Sequence, residues 1–218
     1  MSDMPSSSKA AAPAKTRWVA VSLASLVGCL CLLGSCEEGG VSRVTVNPDL
    51  KFDHPMRLAV LDFDWQPPEG QVTEGHTMVN APNAGKFVAD AVATRLLNIK
   101  GLEVMERSKL AQLVAEKDLS QTELVRQGRY QEIGKFLGVN YLVLGTVNTY
   151  TVSAAGFVGG YEVSFSCRCV DVNTSQVIWA FSGQSSAMGF EPAIGLNIIL
   201  DEAIPKLHRL LDAQRKKQ

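Results

Sequence analysis

Two stretches of the chain are too apolar to lie with one face in water. Met56-Arg57-Leu58-Ala59-Val60-Leu61-Asp62-Phe63 is an apolar run ending in acid, and Tyr141-Leu142-Val143-Leu144-Gly145-Thr146-Val147 is a second. Runs of this kind suit strands covered on both faces of a sheet, and such strands need helices above and below them. Helical spacing does appear between the two runs. From near Ala84, Val88, Ala91, Val92, Leu96 and Ile99 fall on one stripe, and Gly101 closes that helix. Leu102–Met105 reads as a short strand. Ser108 can cap a helix with the stripe Leu110, Leu113 and Val114, and Ser120-Gln121-Thr122-Glu123 matches a capping box opening a helix through Leu124, Ile133, Phe136 and Leu137 to Gly138.

The second half is predicted to be mostly strand. Ser153–Gly160 is small and glycine-rich and reads as a turn. The next segment alternates, with Tyr161, Val163, Phe165, Cys167 and Cys169 inward and Glu162, Ser164, Ser166 and Arg168 toward water. Asn173-Thr174-Ser175 turns it into a strand over Gln176–Ser182. A last amphipathic helix covers roughly Glu191 to Ala213, with a kink at Pro205. The order β-α-β-α-α-β-β-β-α makes the fold class α/β: a mixed sheet with parallel βαβ units first, an antiparallel hairpin last, and helices packed on the sheet.

The N-terminus reads as an address. Lys9, Lys15 and Arg17 precede sixteen uncharged residues, Trp18 to Leu33, which fall short of the ~20 that cross a bilayer as a helix. Leu33-Gly34-Ser35-Cys36 follows, in the pattern of a bacterial lipobox, where small residues let a peptidase cut before a diacylglyceryl cysteine. Cys36 is therefore the predicted lipidation site. Acyl chains at ~0.8 kcal/mol per buried methylene would hold the mature chain to a membrane without a spanning segment. The boundaries that follow are a signal peptide over 1–35, a lipidated tether over 36–55, one α/β domain over 56–214 and a basic tail over 215–218. Within the tether, Asn47-Pro48 and His54-Pro55 mark turns, with room for one short strand at Val44–Val46.

No catalytic or metal set stands out, and the chain is predicted to be no enzyme and to carry no cofactor. A net charge of −1 over 218 residues is too neutral for a binder driven by phosphate neutralisation, so no nucleic acid is expected. Of the three histidines, His54 falls in the tether, His76 in a long loop and His208 in the final helix, none at ligand or triad spacing. Cys167 and Cys169 sit at i and i+2, poorly placed for a disulfide with each other and without a second pair for a metal; they read as small core residues. Leu61-Asp62-Phe63-Asp64 resembles the nucleophile motif of haloacid-dehalogenase-type phosphatases, but Gln66 stands where Thr or Val is wanted and later acidic pairs are missing. Residues 140–188 alternate as a barrel strand would, yet Glu162, Arg168 and Asp171 would face lipid at a cost of ~2–4 kcal/mol per basic charge at the midplane. The candidate partner contacts are Trp65, in the unusually long stretch Asp64–Asn83, and Phe157, in the turn at Gly156–Gly160. Loops of that kind are ordered at a cost unless something uses them, although Trp65 suits a core plug equally well.

Several segments taken together resemble a known family. They are the lipobox, the opening strand Leu58-Ala59-Val60-Leu61-Asp62-Phe63, the stretch Leu102 to Leu110, the run Ile133-Gly134-Lys135-Phe136-Leu137-Gly138-Val139-Asn140 leading into Tyr141–Val147, and Val170-Asp171-Val172-Asn173-Thr174-Ser175-Gln176-Val177-Ile178-Trp179. In that order they resemble the curli assembly lipoprotein family CsgG and its holdfast-anchor relative HfaB, over about residues 56–213. The resemblance implies a periplasmic lipoprotein that oligomerises, with secretion-channel members extending two hairpins per subunit into a transmembrane barrel. This sequence departs from the channel members: Tyr150–Gly160 offers only a short turn, and Ser182–Ala193 leaves no room for a second long hairpin. The lipoprotein activator LpoB of peptidoglycan synthases resembles it too and lacks hairpins, but has a far longer tether. The expectation is a non-enzymatic lipoprotein acting in assembly or export of a cell-surface structure, or alternatively an activator or scaffold of a peptidoglycan synthase. Its partners would be the membrane through the lipid anchor, envelope proteins and other copies of itself. Its place would be the periplasm, anchored to a membrane, with the outer membrane favoured.

Overall fold

The computed structural model describes residues 39–51, 55–66, 77–106 and 128–217, all within the compact unit that begins at Glu38. Eight strands form one open mixed sheet: β1 Gly39–Val46, β2 Met56–Val60, β3 Asp64–Trp65, β4 Thr77–Asn80, β5 Leu102–Val104, β6 Tyr141–Ala155, β7 Val158–Asp171 and β8 Val177–Met188. The described helices are α1 Ala84–Leu96, α2 Tyr130–Leu137 and α3 Pro192–Arg215. The sheet order is β1-β8-β7-β6-β2-β5.

The sheet is built around β6, the longest strand. One edge of β6 carries β7 along its whole length, antiparallel. The other edge is shared in series by β2 and β3, both parallel, and then β4, antiparallel. The two runs singled out for their apolarity are thus neighbours in the middle of the sheet, with Leu58 opposite Tyr141 and Val60 opposite Val143. Their side chains alternate between two separate cores. Leu58, Val60, Tyr141 and Val143 join the larger core beneath α1 and α3, while Ala59, Leu61, Leu142 and Leu144 join a smaller one beneath α2. Each fully buried aliphatic or aromatic side chain stabilises by ~1.5–3 kcal/mol, so both faces contribute.

A bulge resets this alternation. Val147 pairs with Phe165 and Thr149 with Ser164, leaving Asn148 as an extra residue. After it the parity flips, and Tyr150 points into the same core as Val147. The predicted alternation of β7 holds: Tyr161, Val163, Phe165, Cys167 and Cys169 are all buried in the larger core.

Several boundaries differ from expectation. The tether expected over 36–55 is partly taken up by β1, an eight-residue edge strand pairing with β8 from Gly39 opposite Ser186 to Val46 opposite Trp179. The expected turn at Ser153–Gly160 shrinks to Gly156 and Phe157, because Ala155 pairs with Val158 and Ser153 with Gly160. The strand predicted to stop at Ser182 runs on to Met188, since β7 continues alongside it. The long stretch Asp64–Asn83 contributes β3 and β4 to the edge of β6. The helix expected from Ser120 through Leu137 is described only from Tyr130, for Gly128 takes a left-handed φ of 68° that no helix continues through. Its close at Gly138, left-handed at φ 65°, is as predicted. α3 runs through Pro205 as one 24-residue helix. The helix predicted from Ser108 and the capping box at Ser120 lie outside the described residues.

Candidate functional site

The hairpin joining β6 to β7 ends in two residues. Gly156 has φ 63°, the left-handed conformation that such a turn needs at its first central position and that glycine adopts without cost. Phe157 follows it and is fully exposed, at 103% of its reference area. Nothing in the hairpin explains a phenylalanine there, since the turn itself needs only a small polar residue. Around it the surface stays apolar. Val158 begins β7; Met188 ends β8 opposite Gly160; Phe190 follows, and all three are more than half exposed. The Gly189 N–H donates to the Gly159 carbonyl at 2.9 Å, which ties the end of β8 to the hairpin. The Phe190 ring then covers Gly159 so closely that a Cβ there would stand 2.1 Å from its Cε1. Ile194, in the first turn of α3 four residues after Phe190, is 41% exposed. Met188, Phe190 and Ile194 were not among the residues singled out. The signal that could have found them is the uncharged run Ser182–Phe190, which mirrors the uncharged Ser153–Tyr161.

Trp65 is placed differently. It is half-buried against the larger core, and its indole N–H donates to the Ala81 carbonyl at 2.9 Å. It acts as a plug between β3 and the start of α1, where Gly85 packs so near that a Cβ would meet the Phe63 carbonyl oxygen at 2.2 Å. The structure therefore does not bring Trp65 and Phe157 into one surface. Cys36 lies outside the described residues, as do His54 and His76.

The face of β1, β8 and β7 turned away from α1 and α3 is polar. Arg43, Thr45, Asp64, Thr146, Ser166, Arg168 and Ser182 line an open groove of about 390 Å³ on it. Asp62 and Asp64, the pair reminiscent of a phosphatase nucleophile, are both exposed. Among the described residues no group of three or more His, Cys, Asp or Glu is placed to hold a metal ion.

Cys167 and Cys169 are unbonded and buried, and burial pushes both thiols well up, so they stay protonated. Burial likewise raises the Tyr150 phenol to about 12; its ring meets Phe87 edge-on at 5.9 Å. His208 Nε2 lies 3.2 Å from the Asp212 carboxylate, one turn along α3. Among the described residues the buried Tyr161 hydroxyl, Ser185 hydroxyl and Trp179 indole nitrogen lack a hydrogen-bond partner. The first two flank Gly195, where a Cβ would touch the Tyr161 ring at 2.5 Å and Ser185 Cβ at 3.3 Å.

Comparison with known proteins agrees with the fold. A family model described as curli production assembly/transport component CsgG matches residues 53–196. Among curated proteins no sequence matches significantly. The lipoprotein GNA1162 from Neisseria meningitidis is 15% identical and superposes with a TM-score of 0.52 over 71% of this chain and 99% of its own. The PelC dodecamer from Paraburkholderia phytofirmans is 17% identical over 78% of this chain and 94% of its own, at a TM-score of 0.44. The LpoB C-terminal domain from Salmonella enterica is 15% identical over 63% and 84%, at 0.33. Of these, GNA1162 shares the overall fold; the other two superpose more loosely.

Proposed function

We propose, from the premise that the chain belongs to the CsgG family, that it is a non-enzymatic lipoprotein of the bacterial envelope, anchored through Cys36 in the periplasm and acting in assembly or export of a cell-surface structure. The observation that carries this reading is the family match over residues 53–196, joined to the lipobox that ends at Cys36. A bilayer anchor and a small α/β body make a scaffold: the body presents surfaces, and the lipid keeps them at the membrane. Two surfaces are available, the polar sheet face around Arg43 and Arg168 and the apolar end around Phe157. The outer membrane is the favoured site of the anchor.

One observation favours the second reading, an activator or scaffold of a peptidoglycan synthase. β6 and β7 are joined by two residues, and β8 is separated from α3 by three. Neither connection supplies a hairpin long enough to cross a membrane, which wants ~9–11 residues per strand. The two readings separate on particle mass. Light scattering of the detergent-extracted protein, with negative-stain images of the same peak, should show a closed ring of many subunits for the assembly role. A monomer or dimer refutes the ring and leaves the activator. The anchor is tested alone: Cys36→Ala is expected to abolish labelling by radioactive palmitate, and persistent labelling refutes it.

A further inference from the structure

We propose that the uncharged end of the sheet formed by Phe157, Val158, Met188, Phe190 and Ile194 is a membrane-docking surface, seated in the headgroup–acyl boundary of the bilayer that holds the Cys36 anchor. The inference rests on the reading that Cys36 is lipidated.

The first argument is where the anchor must lie. β1 runs antiparallel to β8 with Gly39 opposite Ser186, only two residues short of Met188. Three peptide units separate Gly39 from Cys36, so the chain gives the lipidated residue a reach of at most ~11 Å from Gly39. Ser186 in turn lies opposite Glu162, so along β7 the Asp171 end is nine residues from the level of Gly39, ~30 Å at ~3.3 Å each, and the Phe157 turn is five residues the other way, ~16 Å, in the direction in which β1 runs back toward Cys36. An anchor on so short a leash holds the Phe157 end at the bilayer and the Asp171 end away from it.

The second argument is composition. No charge occurs in Ser153–Tyr161 or in Ser182–Phe190. The nearest charges in sequence are Glu162 on β7 and Glu191 at the start of α3, both exposed. An exposed phenylalanine at a turn, a second whose ring covers Gly159 and a methionine at the end of β8 form a wedge for the interfacial zone. With no lysine or arginine on the wedge, contact is hydrophobic and should resist salt. A second copy could also cover such a surface. The short leash favours the bilayer, because it presents the surface to lipid at any protein concentration.

The test uses the full lipidated protein in vesicles of phosphatidylethanolamine and phosphatidylglycerol, some with brominated acyl chains. A tryptophan reporter is placed at the wedge, Phe157→Trp, and another at the far end, Val177→Trp, where the native side chain is also exposed. Circular dichroism matching the parent establishes that both fold. The expected result is a blue shift and bromine quenching for Phe157→Trp, unchanged by salt, with Val177→Trp unaffected. If neither reporter is quenched while the protein still floats with the vesicles, the docking surface is refuted and the anchor stands. Quenching of both also refutes it, because the contact then has no preferred end. A Phe157→Trp blue shift that grows with protein concentration, without quenching, assigns the surface to a second copy and overturns the proposal. Failure to float refutes the anchor itself, and the docking surface falls with it.

Discussion

At the Asp171 end of the strands the backbone is fastened by charge as well as hydrogen bonds; at the Phe157 end the described ties carry no charge and apolar side chains stand exposed. The turn after β7 is held by the Asp171 carboxylate, which accepts from the Asn173 N–H at 2.8 Å and the Thr174 N–H at 2.9 Å. Ser175 takes a left-handed φ of 60° to complete it, and Gln131 of α2 donates to the Asn173 carbonyl at 3.0 Å. Nearby, Arg57 pairs with Glu103 at 3.3 Å, and Arg215 at the end of α3 reaches the Lys100 carbonyl at 2.6 Å. The hairpin turn after β6 has Gly156 and an exposed phenylalanine, and the ties described there are uncharged: the Gly189 N–H to the Gly159 carbonyl at 2.9 Å and the Ser153 hydroxyl to the Gly160 carbonyl at 3.4 Å. Water rewards the first arrangement and gains nothing from the second. The contrast teaches that the two ends are built for different surroundings, one aqueous and one not.

The largest expected effect separates the packed body from the apolar end through two glycines. Gly85→Ala gains ~1 kcal/mol of helix preference but drives a Cβ to within 2.2 Å of the Phe63 carbonyl, a backbone atom that cannot swing aside. The net result should be a loss of ~1–3 kcal/mol in urea denaturation, the usual range for overpacking. Gly159→Ala meets only the Phe190 ring, whose side chain is exposed and can rotate away. Its loss should stay within ~0.5 kcal/mol, the level of ordinary surface changes. Equal losses in the two variants would mean that the Phe157 end is as rigidly packed as the body, and the comparison would fail.

A smaller effect belongs to the charged turn. Asp171→Ala removes the acceptor of two turn N–H groups and should cost ~1 kcal/mol, with Asp171→Asn recovering part of it. Thermal melts of both variants against the parent check this. If Asp171→Ala is neutral, the hydrogen bonds at that end do not stabilise the turn.

Much of this layout was legible because it is periodic. The apolar runs at Met56–Phe63 and Tyr141–Val147 carry their burial on both faces, and the alternation from Tyr161 to Cys169 carries it in every second residue. What was missed is held by partners far along the chain. β1 reads Gly-Gly-Val-Ser-Arg-Val-Thr-Val, too polar to announce itself, and becomes a strand because β8 offers it an edge 133 to 147 residues away. Ser153–Gly160 read as a turn since glycine, alanine and serine are poor strand formers, yet the antiparallel register carries them to within two residues of each other. For the candidate site, Phe157 was found by its setting in a loop. The role of Trp65 turned on a bond to Ala81, sixteen residues distant, which no local pattern encodes. Met188, Phe190 and Ile194 were overlooked because each ends, follows or begins an element, where hydrophobic residues carry no period.

The smallest effect on stability is also the most telling. Phe157→Ser replaces a side chain that touches nothing with a residue that tight turns favour, so unfolding should shift by less than ~0.5 kcal/mol. A residue kept for folding could not be exchanged so cheaply. The loss should appear instead at the membrane: the lipidated variant should still float with vesicles through Cys36, while amide hydrogen exchange in the β6–β7 hairpin, slowed by the bilayer in the parent, returns to its detergent rate. Asp171→Ala should do the reverse, lowering the melting temperature and leaving the hairpin's protection by lipid intact. If Phe157→Ser destabilises the fold as much as Asp171→Ala does, the phenylalanine is structural and the two ends are alike. If it changes neither stability nor exchange, the apolar end has no contact with lipid, and its exposed side chains need another occupant.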